Sequence, residues 1–391
     1  MNENLMVMIP VTPVPETALL ALAKRPMGHR SNEFGELMAE VTQNLKWLHQ
    51  TESDVLMLNA SGTAAMEAGI INFLSPGDRV LVGCNGKFGE RWAEVAKSYN
   101  LQVEKIAAEW GQPLDPQLFA EKLEADTTKQ IKAVIITHSE TSTGVLNDLE
   151  TINRHVKTHG EALIIVDAVT SLGAVNVPMD TWGLDVIASG SQKGYMIPAG
   201  LGFVAVSPKA WEAYKTAKLS RYYLDLGQYR KAAANNTTPF SPPVNLTVAL
   251  QATLRMMRQE GLETIFKRHQ RIKDATRAAV KALNLPLFAS DTFASPAVTV
   301  VAPDKFPPDL IRSILKKRFD IELAGGQNYF QGKVFRIGHL GFVSYRDILT
   351  VVASLELSLR ELGYEDFIPG SSVVAATRVF TCLDSTGRFD T

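Results

Sequence analysis

The sequence predicts an α/β fold: an open, mostly parallel sheet between helices, followed by a smaller C-terminal α+β domain. Three observations carry that reading. From about residue 54 to residue 206, short apolar runs alternate with stretches of helical apolar spacing, the pattern of strands buried on both faces and joined by crossover helices. Small polar turns follow those runs, at the strand ends where open α/β sheets bind their ligands. Finally, a lysine, Lys193, stands in a Ser/Gly cluster between apolar runs at 186–188 and 201–206. Lysine is rarely buried without a partner, and a buried one loses its charge readily. The alternative for Lys193 is a turn residue with its ammonium in water.

The 391 residues suggest two or three domains at about 150 residues each. Net charge is −1 and no Lys/Arg-rich run stands out, so nucleic acid and anionic membranes are not expected partners. Two distant cysteines, Cys84 and Cys382, exclude a disulfide framework and a CxxC metal site, and leave too few thiolates for an all-Cys cluster. The start lacks a basic region and a long apolar run, and no stretch of about 18 apolar residues occurs. The expectation is a soluble cytoplasmic enzyme.

Taken in order, Pro10, Pro13 and Pro15 make the opening extended. Helices are expected over 16–24 and 33–49, the second from the spacing of Phe34, Leu37, Met38, Val41, Leu45 and Leu48. A strand at 54–58 runs through Ser61-Gly-Thr63 into a helix over 64–73. That geometry aims free N–H groups and a helix dipole at an anion, although a Ser or Thr at a helix start is also a plain cap. The strand at 79–83 delivers Asn85-Gly-Lys-Phe-Gly89 before a helix over 90–99, which places Phe88 in a loop where it could stack on a planar ligand. Strands at 101–106, 132–137 and 162–166 and helices at 116–125 and 149–159 continue the alternation, with Thr141 and Asp167 at strand ends. Residues 222–236 read as irregular and 237–243 as a rigid Pro-rich loop. Helices over 245–259 and 262–283 lead to a smaller unit with strands at 297–301, 321–324 and 334–337 and helices at 308–318 and 345–362. The tail beyond 366 is weakly patterned, either docked on a partner or disordered.

Asp167 and Lys193, on successive strand ends, suit pyridoxal phosphate (PLP). The lysine would form an imine, the carboxylate would hold the pyridinium proton, and Ser61-Gly-Thr63 would hold the phosphate. The freed lysine would then move a proton as base and acid. Phe88 would lie over the ring, and Thr141 would bond its phenolic oxygen.

Over roughly residues 10–362 the chain resembles the class V, fold type I PLP-dependent aminotransferases, in the alanine/serine:glyoxylate branch. The motifs are Gly28-His-Arg-Ser31, Ser61-Gly-Thr63, Ser75-Pro-Gly-Asp78, Asn85-Gly-Lys-Phe-Gly89, Glu140-Thr-Ser-Thr-Gly144, Val166-Asp-Ala-Val-Thr-Ser-Leu-Gly173, Gly190-Ser-Gln-Lys193 and Arg336-Ile-Gly-His-Leu-Gly341. The resemblance implies a seven-stranded-type sheet in a large PLP-binding domain over 1–275, extended through 1–20. It implies a small domain over 276–366, leaving a tail at 367–391 without a counterpart. It also implies Lys193 as the Schiff-base lysine, Asp167 on the pyridine nitrogen, and Ser61, Gly62, Thr63 and Gln192 on the phosphate. Arg336 would clamp the substrate α-carboxylate. Thr238 and Ser241 would reach the phosphate of the neighbouring subunit, making a homodimer with shared active sites. Small amino acids (alanine, serine, aspartate) and 2-oxo acids such as glyoxylate or 2-oxoglutarate are the implied substrates.

The segment Ile9-Pro-Val-Thr-Pro13 lacks the family's Pro-Gly-Pro, Phe88 stands where some members have Trp, and Gly325-Gly-Gln-Asn-Tyr-Phe330 differs from the usual loop. Very similar chains carry the label of a soluble hydrogenase small (tritium-exchange) subunit. That label implies a hydrogenase large subunit as partner, not metal chemistry in this chain. A PLP lyase of the same fold, such as a cysteine desulfurase, would need a loop cysteine in the small domain, and none lies between 280 and 365. A dicarboxylic donor would need a second cation, for which Arg30, Arg221 and Arg230 are available.

Overall fold

The computed structural model describes residues 5–9 and 12–381. Pro10, the desulfurase candidate Cys382 and the tail beyond 381 lie outside the described residues. Seven strands form the main sheet in the order Asp54–Asn59, Leu201–Val206, Val186–Gly190, Leu163–Asp167, Ile131–Thr137, Arg79–Cys84, Gln102–Ala107. Leu201–Val206 runs antiparallel to both neighbours and the remaining pairs are parallel.

The continuous apolar runs have a simple cause. Successive strand side chains point to opposite faces, and both faces are covered. Leu81, Val134, Ile136, Ile164 and Val166 join one core. Val80, Val82, Ala133, Ile135, Leu163 and Ile165 join the other. Three crossover helices begin where a side chain caps free amides. Ser61 Oγ accepts from Ala64 N, Asp115 from Gln117 N and Asp148 from Thr151 N.

A four-stranded sheet follows in the order Met6–Met8, Ile321–Gly325, Phe335–Gly338, Val298–Val301. Its outer strand comes from the N-terminus: Met6, Val7 and Met8 pair in parallel with Ile321, Glu322 and Leu323. Three residues at the far end of the chain carry no local pattern that announces this pairing.

Three differences from the sequence expectations have physical reasons. The helix expected from 90 begins at Lys87 and ends at Ser98, so Phe88 lies in its first turn and not in a loop. The anchor is the remote carboxylate Glu140, which accepts from Phe88 N at 2.9 Å and Gly89 N at 3.1 Å. Within the region read as irregular, Leu226–Ala233 is a helix, capped by Asp225 and buried through Leu226 and Tyr229. In the tail, Ser371–Thr381 is also a helix. Ser372, Ala376 and Phe380 share its buried face at helical spacing, and they pack on the chain's own C-terminal unit. Ser372 Oγ bonds Glu356 at 2.6 Å, and Phe380 stacks on Tyr345 with ring centroids 4.2 Å apart.

The tail helix is therefore expected to contribute to stability and not to chemistry. Phe380→Ala should cost about 3 kcal/mol, read as a lower urea midpoint, with steady-state constants unchanged.

Candidate active site

The parallel strands bring their carboxyl ends to one edge of the main sheet, and a cavity of about 210 Å³ lies there. Seven residues singled out from the sequence line it: Ser61, Gly62, Thr63, Phe88, Asp167, Gln192 and Lys193. Arg91, Trp92, Ser139, Val169 and Thr170 complete the wall. A larger cleft of about 560 Å³ near Arg268, Arg271 and Tyr345 lies away from these strand ends.

The helix Gly62–Ile71 starts at the cavity. Its first amides, Gly62 and Thr63, have no carbonyl within the helix to bond. Gly62 is required by close packing: a Cβ there would stand 3.0 Å from Val169 and 3.6 Å from the Gly190 backbone. The helix end is thus seated directly against the strand that leads to Lys193. Gln192 adds a buried Oε1 without a hydrogen-bond partner among the described residues, and such buried polar atoms ordinarily have one.

Asp167 is buried and holds two N–H donors, Val169 N on Oδ1 at 2.9 Å and Trp92 Nε1 on Oδ2 at 2.8 Å. Burial raises its pKa above the ordinary carboxylate value, and those two bonds, with Lys193 and Arg91 nearby, pull against it. Burial pulls Lys193 down to about 8, aided by the like charge of Arg336 and opposed by Asp167. A lysine so placed has a far larger neutral fraction near physiological pH than an ordinary lysine, as a nucleophile and base requires.

Arg336 is buried and comes from the second sheet. It donates from Nε to Gly325 O at 2.9 Å and from Nη1 to Thr141 O at 3.2 Å. Those bonds aim the guanidinium and leave Nη2 and one Nη1 proton for a further acceptor. Burial brings it down to about 10, with the Glu140 charge opposing. Thr141 meets Arg336 through its carbonyl and is itself buried, and it does not line the cavity.

Glu140 is a residue whose role the sequence reading missed. Burial raises its pKa, and four donors oppose that. Besides the amides of Phe88 and Gly89, Ser142 donates from N at 3.1 Å and from Oγ at 2.5 Å. Arg91 and Trp92 fall inside the expected helix, but with Phe88 read as a loop residue before it, the i+3 and i+4 spacing that groups them with Phe88 at the cavity is hidden. The Arg91 guanidinium sits 4.9 Å from the Phe88 ring centroid.

Thr238 and Ser241 are not brought to this cavity within the chain. Thr238 Oγ1 donates to Phe240 O at 2.7 Å, and Ser241 is exposed. The cations considered for a dicarboxylic substrate are elsewhere too. Arg221 packs over Tyr214 and pairs with Asp225, Arg230 pairs with Asp54, and Arg30 is exposed.

The family model for class V aminotransferases matches residues 16–342. The chain belongs to the class V aminotransferases. A soluble hydrogenase 42 kDa subunit from Anabaena cylindrica is 72% identical over 97% of this chain and 100% of that protein. An L-aspartate–glyoxylate aminotransferase from Paracoccus denitrificans is 37% identical over 93% of each. The solved alanine–glyoxylate aminotransferase from Nostoc sp. superposes with a TM-score of 0.87 and 31% identity, covering 92% of this chain and 96% of that one. This aminotransferase has the fold type I architecture of a PLP enzyme. The residues around the cavity fit that cofactor: unbonded helix amides suit a phosphate, and a buried carboxylate and a neutralised lysine suit its ring and aldehyde.

The depressed lysine has a measurable consequence. Cofactor uptake by the cofactor-free protein needs the neutral amine, so its rate should rise with pH through about 8 and level off above. An ordinary lysine would keep it rising towards 10.5. Across that same interval the unfolded chain holds the proton more tightly than the folded one, so the stability of the cofactor-free protein should also increase with pH. Lys193→Met should remove both effects.

Proposed function

We propose that this aminotransferase moves an amino group from a small L-amino acid (alanine, serine or aspartate) to a 2-oxo acid such as glyoxylate or 2-oxoglutarate. The observation that carries this reading is the joint placement of Lys193, Asp167 and the open helix start on one cavity, with Arg336 close enough to depress Lys193. The glyoxylate aminotransferases among its relatives support the choice of substrates.

Pyridoxal phosphate, when bound, supplies an electron sink for the charge that develops at a substrate's Cα. The chain's residues do the rest. Ser61, Gly62, Thr63 and Gln192 bind the phosphate, and Phe88 and Val169 bound the space for the ring. Asp167 keeps the proton on the ring nitrogen through a charge-assisted hydrogen bond. Lys193 takes and returns the Cα proton. Arg336 receives the α-carboxylate on the Nη1/Nη2 edge its own bonds leave free, in a bidentate geometry that lysine cannot reproduce. Thr141 serves the site through its carbonyl, which holds Arg336. Thr238 and Ser241 serve the phosphate of a second copy, so the working unit is a homodimer in the cytoplasm. Among the described residues no helix is long and apolar enough to cross a membrane.

The name of the Anabaena relative favours one addition, that this aminotransferase also associates with a hydrogenase large subunit. Co-purification of a metalloprotein with the tagged chain would support it. A desulfurase reading has no such support. Cys84 is buried and its thiol is pushed up to about 12, chiefly by burial, which leaves it without thiolate at neutral pH.

The deciding measurement is the near-ultraviolet/visible spectrum during addition of alanine, serine and aspartate in turn. One of them should convert the bound cofactor to its amine form, and glyoxylate should reverse the change. A spectrum that no amino acid alters would remove the transaminase reading. Lys193→Ala should lower turnover by at least about 1,000-fold. Arg336→Lys should raise KM for the amino donor about tenfold or more, and an unchanged kcat/KM would remove the clamp.

A further inference from the structure

We propose that Trp92 is a positioning residue for the cofactor, acting through Asp167: its indole N–H fixes the carboxylate so that one lone pair always faces the cavity as an acceptor. The inference rests on the reading of Asp167 as the partner of the ring nitrogen. It adds a residue that the reading does not contain.

The geometry begins with the helix that carries the indole. Trp92 lies on Lys87–Ser98, one turn after Phe88. That helix sits directly on the end of the strand Arg79–Cys84, because a Cβ on Gly89 would stand only 2.4 Å from Gly83 O. The close seating carries the indole past the strand Ile131–Thr137 to the strand end beyond it, where Nε1 meets Asp167 Oδ2 at 2.8 Å. Trp92 is 2% exposed and lines the cavity beside Asp167.

An indole N–H can only donate. The Val169 N–H on Oδ1 can only donate too. With one such donor on each oxygen, the carboxylate is held by two bonds, and protonation of either oxygen would weaken the bond that oxygen accepts. The ring nitrogen's N–H is then the group best able to meet the remaining lone pair. Phenylalanine at 92 would fill most of the space and supply no donor. Burial alone favours the neutral acid, and Trp92 and Val169 are the two hydrogen-bond donors that oppose it directly.

A second buried tryptophan gives an internal control. Trp211 is 6% exposed and its Nε1 has no hydrogen-bond partner among the described residues. Trp92→Phe and Trp211→Phe therefore remove similar bulk, and the first alone removes a bond to a carboxylate.

The test uses the full-length chain loaded with PLP. Trp92→Phe is expected to raise the PLP dissociation constant about tenfold or more and to lower kcat, leaving KM for the amino donor within about twofold because Arg336 is untouched. Trp211→Phe should leave PLP affinity and kcat at wild-type values. Wild-type PLP affinity in a folded Trp92→Phe protein, or equal losses in both variants, overturns the proposal. Should Trp92→Phe fail to fold, indole ¹⁵N–¹H spectra of the wild type and of Asp167→Asn decide. One indole resonance at the low-field edge in the wild type should move upfield in Asp167→Asn, as loss of a carboxylate acceptor requires. If no indole resonance responds to Asp167→Asn, the inference is wrong. These readouts stand apart from the wider reading: a protein that binds no PLP would defeat the assignment of Asp167 and leave the Trp92 bond intact.

Discussion

Four charged side chains, Lys193, Arg336, Asp167 and Glu140, are held out of water at one edge of the main sheet. Isolated buried charges are too costly to persist. Each here is partnered, and most of the partners come from the backbone. Asp167 and Glu140 accept amide and side-chain donors, and Arg336 gives two donors to carbonyls. At Lys193, burial and the like charge of Arg336 outweigh the opposing pull of Asp167. That imbalance is chemically useful, because it brings loss of the amine's proton within reach of physiological pH. The same arginine would bind an anionic substrate, which would cancel its charge and weaken the push on Lys193. Binding of an anion at Arg336 would therefore raise the basicity of Lys193.

Glu140 ties the parts of this edge together. Through Phe88 N and Gly89 N it sets the start of the helix that carries Phe88, Arg91 and Trp92. Through Ser142 it folds the turn whose Thr141 carbonyl receives Arg336. Gly86 is packed so tightly against it that a Cβ there would stand 2.3 Å from the Glu140 side chain. One carboxylate thus sets the distance between an aromatic wall of the cavity and the arginine from the second sheet. A change at Glu140 would shift both together, although it does not line the cavity.

The sheet was legible in the sequence because its signals are local. Apolar runs, Ser and Asp caps and Pro-Gly turns each act over a few residues, and their alternation leaves little choice of fold. Asp167 and Lys193 were legible as strand-end residues, since topology alone places strand ends together. What escaped was set by remote partners. Lys87–Ser98 begins early because of Glu140, more than fifty positions away in sequence. Met6–Met8 pairs with a strand from the other end of the chain. The helix Ser371–Thr381 shows its spacing only once Val352, Glu356 and Tyr345 are known to receive it. Arg221 and Arg230 looked available as charges, yet each already has a carboxylate and an aromatic face in the fold.

The loop Gly325-Gly-Gln-Asn-Tyr-Phe330 departs from the family pattern directly before the arginine strand, where a change of shape would be most damaging. The structure indicates why the departure is tolerated. Phe330 stacks on Trp110 with centroids 5.4 Å apart and meets Phe288 edge-on at 4.6 Å, so the loop is clasped by aromatic rings from two other segments. Gly326 has no room for a side chain, since a Cβ would stand 1.8 Å from Phe330 O. The loop is compact, and it keeps Gly325 O where Arg336 Nε can bond it. The orientation of the arginine thus rests on the loop's own packing, through rings that belong to neither the main sheet nor its edge.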